Sequence, residues 1–434
     1  MTIVFSSAVF AQSTENQNDT IQKSFVKREK FLDAISRLSI GGYGEIMYKR
    51  NFFSDNINRY SHASDYKNAP SHGRFDLPHI TFFIACEFGK GWRFSSEIEF
   101  EHGGTEAAVE LEAEEAGEYE TEVERGGEVA FEQFWIEKTF LPALNLRLGH
   151  IIVPVGFTNM RHLPTEFFTV ERPEGESTIF PCTWHETGLS LWGKVGSLWR
   201  YEVALLPALN SELFSRQNWI GNASKSPFEF KVANRYAVAF RVDNQSIKGL
   251  RIGASGYYGH SFNNSLQPTL SEKYKNVKGG VAIGSLDFEY SDYNFIARGY
   301  FDYGHLGDSQ TISIFNKNLS KNSISPRTNV ASDVLVSGVE AGYNFFALSS
   351  RQKINRQKFY LFGRYEFFDS MWRTTGNIPK DEWCGRQKII GGINYYPVKQ
   401  VVIKAEYSYS ILKTQFNNEP SLSIGVAYAG FFTK

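Results

Sequence analysis

No run of apolar residues in the 434-residue chain approaches the length of a membrane-spanning helix, so no such helix is encoded. Cysteine is almost missing. Cys86, Cys182 and Cys384 show no metal-ligand spacing, and an odd number excludes a fully paired disulfide framework; one Cys182–Cys384 bridge between loops stays open. Charge of one sign is also lacking. Lys and Arg total 46 against 47 Asp and Glu, a net charge of −1, and nothing in that balance points to nucleic acid. There is no G-x-S-x-G, no H-E-x-x-H, no P-loop and no Cys/His zinc pattern, and the histidines are scattered. No enzymatic activity, cofactor or metal is therefore expected.

What is present is aromatic and glycine-rich. Aromatics make up 15% of the residues and glycines number 37, while the mean hydropathy is negative. That mixture suits many short strands and turns. The stretch KIIGGINYYPVKQVVIKAEYSYS (388–410) alternates apolar and polar residues with a period of two on either side of a tight Pro-containing connector, the pattern of a β-hairpin. The same rhythm marks sixteen strands, at 38–49, 74–88, 91–103, 128–140, 143–151, 186–194, 197–206, 232–243, 248–260, 278–290, 293–304, 332–346, 357–368, 386–397, 400–410 and 420–432. Their connectors alternate long and short, with LSSRQKINRQ (348–357) a stretched member of the short set. A soluble sandwich has no reason to keep its long loops at one end, whereas a transmembrane barrel does. An even strand number closes the sheet and leaves no unpaired edge in hydrocarbon.

Within each strand one parity is apolar and the other small or charged. Trp199, Tyr201, Val203 and Leu205 alternate with Arg200, Glu202 and Ala204; Tyr236, Val238, Phe240 and Val242 alternate with Arg235, Ala237, Ala239 and Arg241. In a sixteen-stranded barrel the charged parity faces a water-filled interior. Arg93, Glu97, Glu99, Arg147, Arg200, Arg235, Arg241, Arg251, Arg298, Arg364, Lys404 and Glu406 are thus expected to line the lumen. Aromatics near strand ends (Trp199, Tyr257, Tyr290, Tyr303, Phe345, Phe367, Tyr395, Phe431) suit interfacial girdles. The expected fold is all-β: a 16-stranded antiparallel transmembrane β-barrel over 38–434. Ahead of it, residues 1–11 read as the remnant of an export signal and 12–37 as a periplasmic extension with a short amphipathic helix. The segment 106–128 is strongly acidic. A solvated face is the ordinary reading of such a run; repelling anions, binding divalent ions or latching a neighbouring subunit are the alternatives.

One segment carries a resemblance. LNLRLGHIIVPVGFTNMRHLPTEFFTVERPEGESTIFPCTWHETGLSLWG, from Leu144, has a strand with LRLG, a P-x-G turn (Pro154, Gly156), an E-R-P triplet (Glu171, Arg172, Pro173) and a return through E-T-G. It resembles the phosphate-selective porin O and porin P family of bacterial outer-membrane porins. FDLPHITFFIACEFGKGWRFSSEIEFE resembles that family's second hairpin and FEQFWIE its fourth strand. The resemblance covers about residues 40–195 and implies sixteen-stranded channels, commonly trimers, several of them anion-preferring. It also implies that the third long loop folds inward and narrows the pore. Arg161, His162, Glu171, Arg172, Glu174 and Glu176 are then the expected constriction. Alternatively, Arg172 pairs with a wall carboxylate and pins the loop. The mixed signs of the inward list give no basic ladder, so phosphate preference is not carried over. The chain is expected in the outer membrane of a Gram-negative bacterium, as a porin for passive diffusion of small hydrophilic solutes or ions, anion-leaning at most. Its expected partners are outer-membrane lipid and lipopolysaccharide, in a homotrimer or a hetero-complex, and not nucleic acid. The alternative is an accessory barrel of a larger outer-membrane assembly, its lumen occluded.

Overall fold

A computed structural model describes residues 37–69, 72–102, 108–113, 119–124, 129–226, 230–348 and 356–433. The expected signal remnant and nearly all of the N-terminal extension lie outside the described residues. Sixteen strands form the wall: β1 (Leu38–Asn51), β2 (His79–Gly89), β3 (Trp92–Glu101), β4 (Val129–Leu141), β5 (Leu144–Ile152), β6 (His185–Val195), β7 (Trp199–Pro207) and β8 (Tyr236–Ile247). They continue with β9 (Leu250–His260), β10 (Gly280–Asp292), β11 (Phe295–Leu306), β12 (Asp333–Asn344), β13 (Lys358–Arg373), β14 (Gly385–Val398), β15 (Val401–Ile411) and β16 (Glu419–Phe431). Every neighbour in sequence is an antiparallel neighbour in space. β16 returns to β1 over a ladder running from Gly41↔Phe431 to Asn51↔Ser421. The cylinder is closed.

All sixteen expected strands are present. The one expected at 74–88 is broken at Leu77 and Pro78, where proline cannot donate to a ladder. Its first part, Gly73–Asp76, pairs with the far end of β1 instead. The acidic segment holds its own two-stranded hairpin, Ala108–Ala113 against Tyr119–Glu124. Pairs such as β8–β9 and β10–β11 are joined by two-residue turns, while 153–184, 208–235, 261–279 and 307–332 are long connectors at the opposite end. Two of these contain helices, α1 (Glu174–Ile179) and α2 (Ser309–Lys317). Among the described residues no helix is long and apolar enough to cross a membrane.

The distribution of burial is inverted relative to a water-soluble fold. Val203, Leu205, Val238, Phe240, Leu286, Phe301, Ile389, Ile403 and Ile424 are exposed on the outside, while Glu202, Arg241, Asp287, Glu340, Arg364, Glu366 and Lys404 on the opposite parity are buried. An uncovered apolar surface of that extent around a closed cylinder is stable only against lipid. The barrel is of the outer-membrane type. Tyr257 departs from the girdle assignment: it is 3% exposed and packs inward on Trp184, ring centroids 5.0 Å apart. Its odd number puts it on the same face of β9 as Arg251 and Ser255. All three cysteines are free, so the Cys182–Cys384 bridge is not formed.

Candidate functional site

The inward wall is a chain of ion pairs of alternating sign. Arg147 bridges Glu137 (2.9 Å) and Glu202 (3.4 Å), and Arg200 joins Glu202 to Asp243. Arg241 and Arg251 each bond both Asp243 and Asp287 at 2.7–2.9 Å. Farther round, Arg298 and Arg364 share Glu340, and Arg364 also reaches Glu366 at 2.5 Å. Each cross-strand pair satisfies a charge that the parity of its own strand forces inward, and no row of unpaired basic groups results. Arg93 faces Glu87 and the ring of Trp135. Arg235 is the exception among the expected wall residues. It lies just ahead of β8, exposed at the long-loop end, because that strand starts later than the alternation suggests.

The connector 153–184 is bonded to inward-facing groups of many strands. Lys404 on β15 donates to the carbonyls of Phe167 and Thr169 (3.1 and 2.7 Å), and the amide of Val170 donates to Glu406 (2.7 Å). On β8 and β9, Arg241 donates to the Gly156 carbonyl and Ser255 accepts from the Gly156 amide, both at 3.2 Å. Its aromatic rings sit on wall cations: Phe167 against Lys404, Phe168 against Arg298 and Phe157 against Arg251.

The six residues expected at a constriction take different places. Arg161 reaches Glu166 within the connector and Glu289 on β10, both at 3.2 Å. His162 lies 3.7 Å from Glu97 and Arg172 lies 3.9 Å from Glu99, both carboxylates being on β3. Glu171 is paired with Lys49 and Arg74. Glu174 accepts from Lys388 (2.6 Å) and Arg386 (3.4 Å) on β14. Burial pushes Glu174 up, but those cations outweigh it and hold the carboxyl down at about 2. Glu176 faces no passage. It is 2% exposed and accepts the amides of Phe157 and Thr158 at 2.7 and 2.6 Å, stapling the connector to itself.

Beside this connector lies a polar cavity of about 410 Å³. Lys49, Arg59, Arg74, Arg172, Arg386 and Lys388 line it together with Glu45, Asp55, Asp76, Glu171, Glu174 and Glu419. The other side of the interior is apolar. Trp184, Phe214, Trp219 and Phe262 from the long connectors pack on Leu206, Val281, Leu306, Val334 and Val336 of the wall. The connector 208–235, which sequence alternation left undescribed, therefore contributes Phe214 and Trp219 to this cluster; their apolar character was the only available signal.

No family model matches the chain. An uncharacterised protein of Aquifex aeolicus (strain VF5) is 26% identical over 404 residues, covering 88% of this chain and 78% of that one. The barrel is similar to OprB of Pseudomonas putida in its high-pH structure (TM-score 0.54, 10% identity, 94% of this chain and 96% of that one). It is also similar to Salmonella typhi OmpF in complex with daunomycin (0.52, 10%, 91% and 97%) and to an anion-selective porin from Comamonas acidovorans (0.51, 9%, 91% and 99%). The fold is that of the outer-membrane porins.

Proposed function

We propose that this protein is a porin of a Gram-negative outer membrane, through which small hydrophilic solutes and ions diffuse passively. The observation that carries the reading is the combination of a lipid-type exterior with a charged, polar cavity inside a closed barrel. The connector 153–184 acts as the constriction, a role supported by its bonds to inward groups on β1, β3, β8, β9, β10, β14 and β15. The solute path is eccentric, running beside β1 and β14–β16. Its lining sets six basic side chains against six carboxylates, which supports weak ion preference. The motif likeness supports kinship with the phosphate-selective porins, but this lining does not support phosphate selectivity. Assembly as a homotrimer, or with other outer-membrane proteins amid lipopolysaccharide, is proposed on the resemblance alone.

A second reading, an accessory barrel with an occluded lumen, is favoured by the apolar cluster that fills the opposite half of the interior. Purified protein in a planar bilayer separates the two. The porin gives steady ohmic steps with a reversal potential near zero in a salt gradient; the accessory barrel gives none. Arg161→Gln together with Arg172→Gln shifts that potential toward cation preference if these side chains face the path. An unchanged potential removes them from it.

A further inference from the structure

Glu97 on β3, Glu132 on β4 and His162 in the connector bring one ligand atom each to a common point, all within 4.8 Å of one another. Glu97 is 3% exposed and Glu132 0%. Each of the three residues carries a buried polar atom with no hydrogen-bond partner: Glu97 Oε1, Glu132 Oε1 and His162 Nε2. Three orphaned polar atoms in one buried place are costly unless something satisfies them together.

The other polar atom of each residue is held. His162 Nδ1 donates to the Asn159 carbonyl at 3.0 Å, so in the neutral ring the lone pair sits on Nε2, 3.7 Å from Glu97 Oε1. Glu132 Oε2 accepts from the Tyr43 hydroxyl at 3.0 Å, and Glu97 Oε2 accepts from the Gln133 amide. Outer partners of this kind fix tautomer and orientation in metal sites. The neighbouring trio of His79, Glu99 and Glu101 differs, since His79 Nδ1 already bonds Glu99 at 2.7 Å.

We propose that Glu97, Glu132 and His162 bind one divalent first-row transition-metal cation, which clips the connector to the β3–β4 wall. One imidazole and two carboxylates suit Zn²⁺, Mn²⁺, Fe²⁺ or Co²⁺, with water completing the shell. A cation about 2.1 Å from each ligand sets neighbouring ligand atoms about 3.4 Å apart. The 3.7 Å between His162 Nε2 and Glu97 Oε1 needs little closing, and Glu132 has its ligand atom within 4.8 Å of both, a small approach away. The competing arrangement is a plain His162–Glu97 ion pair with no third ligand.

The test uses full-length protein in detergent, stripped with chelator and titrated with Zn²⁺ alone by calorimetry. One equivalent is expected, with affinity lowered by about 100-fold or more in Glu132→Gln and His162→Gln. His79→Gln is expected to bind as the unaltered protein does. Failure to bind one equivalent, or binding that survives both ligand substitutions, overturns the site. So does binding lost in His79→Gln and kept in His162→Gln. X-ray absorption of the unmodified Zn²⁺-loaded protein gives a check independent of how the variants fold. An N/O shell containing one imidazole supports the assignment; a sulfur-containing shell, or one without imidazole, refutes it. Neither measurement depends on the chain conducting ions.

Discussion

At the scale of single residues, the interior is built by fitting large side chains of the connectors over small ones of the wall. Phe168 shows how tightly. Its Cζ lies 2.5 Å from where a Cβ on Gly342 would stand, and its ring stacks on Phe362 of β13 at 5.3 Å. Gly342→Val has no room for its side chain unless Phe168 leaves. We expect that substitution to cost roughly 1–3 kcal/mol in urea titrations and to raise single-channel conductance as the ring swings away. Such fits were not legible in the sequence. Alternation gave the face on which Gly342 lies, but no rule of spacing says which ring of a distant connector rests there. The same limit explains Glu176, read as lining a pore and found holding two amides of its own loop. It also explains the clustered Glu97, Glu132 and His162, whose numbers carry no ligand spacing because three separate segments supply them.

At the scale of elements, the connector 153–184 is held by electrostatics along its middle and by apolar packing at both ends, through Val153, Val155 and Phe157 at one and Ile179, Phe180 and Trp184 at the other. Glu174 at the start of α1 is one of the electrostatic pins, facing Lys388 and Arg386. Its carboxyl is depressed in the folded protein, so the attraction is fully present above the ordinary value near 4.5 and is lost as pH falls toward about 2. Conductance recorded from pH 7 to pH 2.5 should show increasing loop noise across that window. Glu174→Gln should show the noise already at pH 7 and no further change across the window. If the two proteins have the same profile, Glu174 is not a pin. The strands themselves were the legible elements: all sixteen appear, because a period of two with one apolar face is a local signal that the barrel leaves undisturbed. Boundaries slipped where long-range pairing decides them, as at β8, whose later start leaves Arg235 outside, and at Pro78, where one expected strand is two.

For the whole molecule, the solvent on each side of the wall is what sequence parity determined and what is most directly tested. Val203 and Phe240 are cross-strand partners on the outer face, 45% and 49% exposed. Phe240→Arg should destabilise the barrel by about 2–4 kcal/mol when refolding is measured in phospholipid vesicles, the cost of a cation near the bilayer midplane. On a water-facing sheet the same change would fall within about 0.5 kcal/mol. The smaller value would mean that the outer face does not meet hydrocarbon.

The ladder that joins β1 to β16 has a kinetic corollary. Its partners stand hundreds of positions apart along the polypeptide, so their encounter carries the largest loop-closure entropy of any pairing in the sheet. Until that seam zips, the nascent sheet presents two raw rims. Insertion should therefore be slowest at this last join, and weakening it, by proline at Val426 for instance, should trap an open, protease-sensitive intermediate while leaving the fourteen inner strands paired.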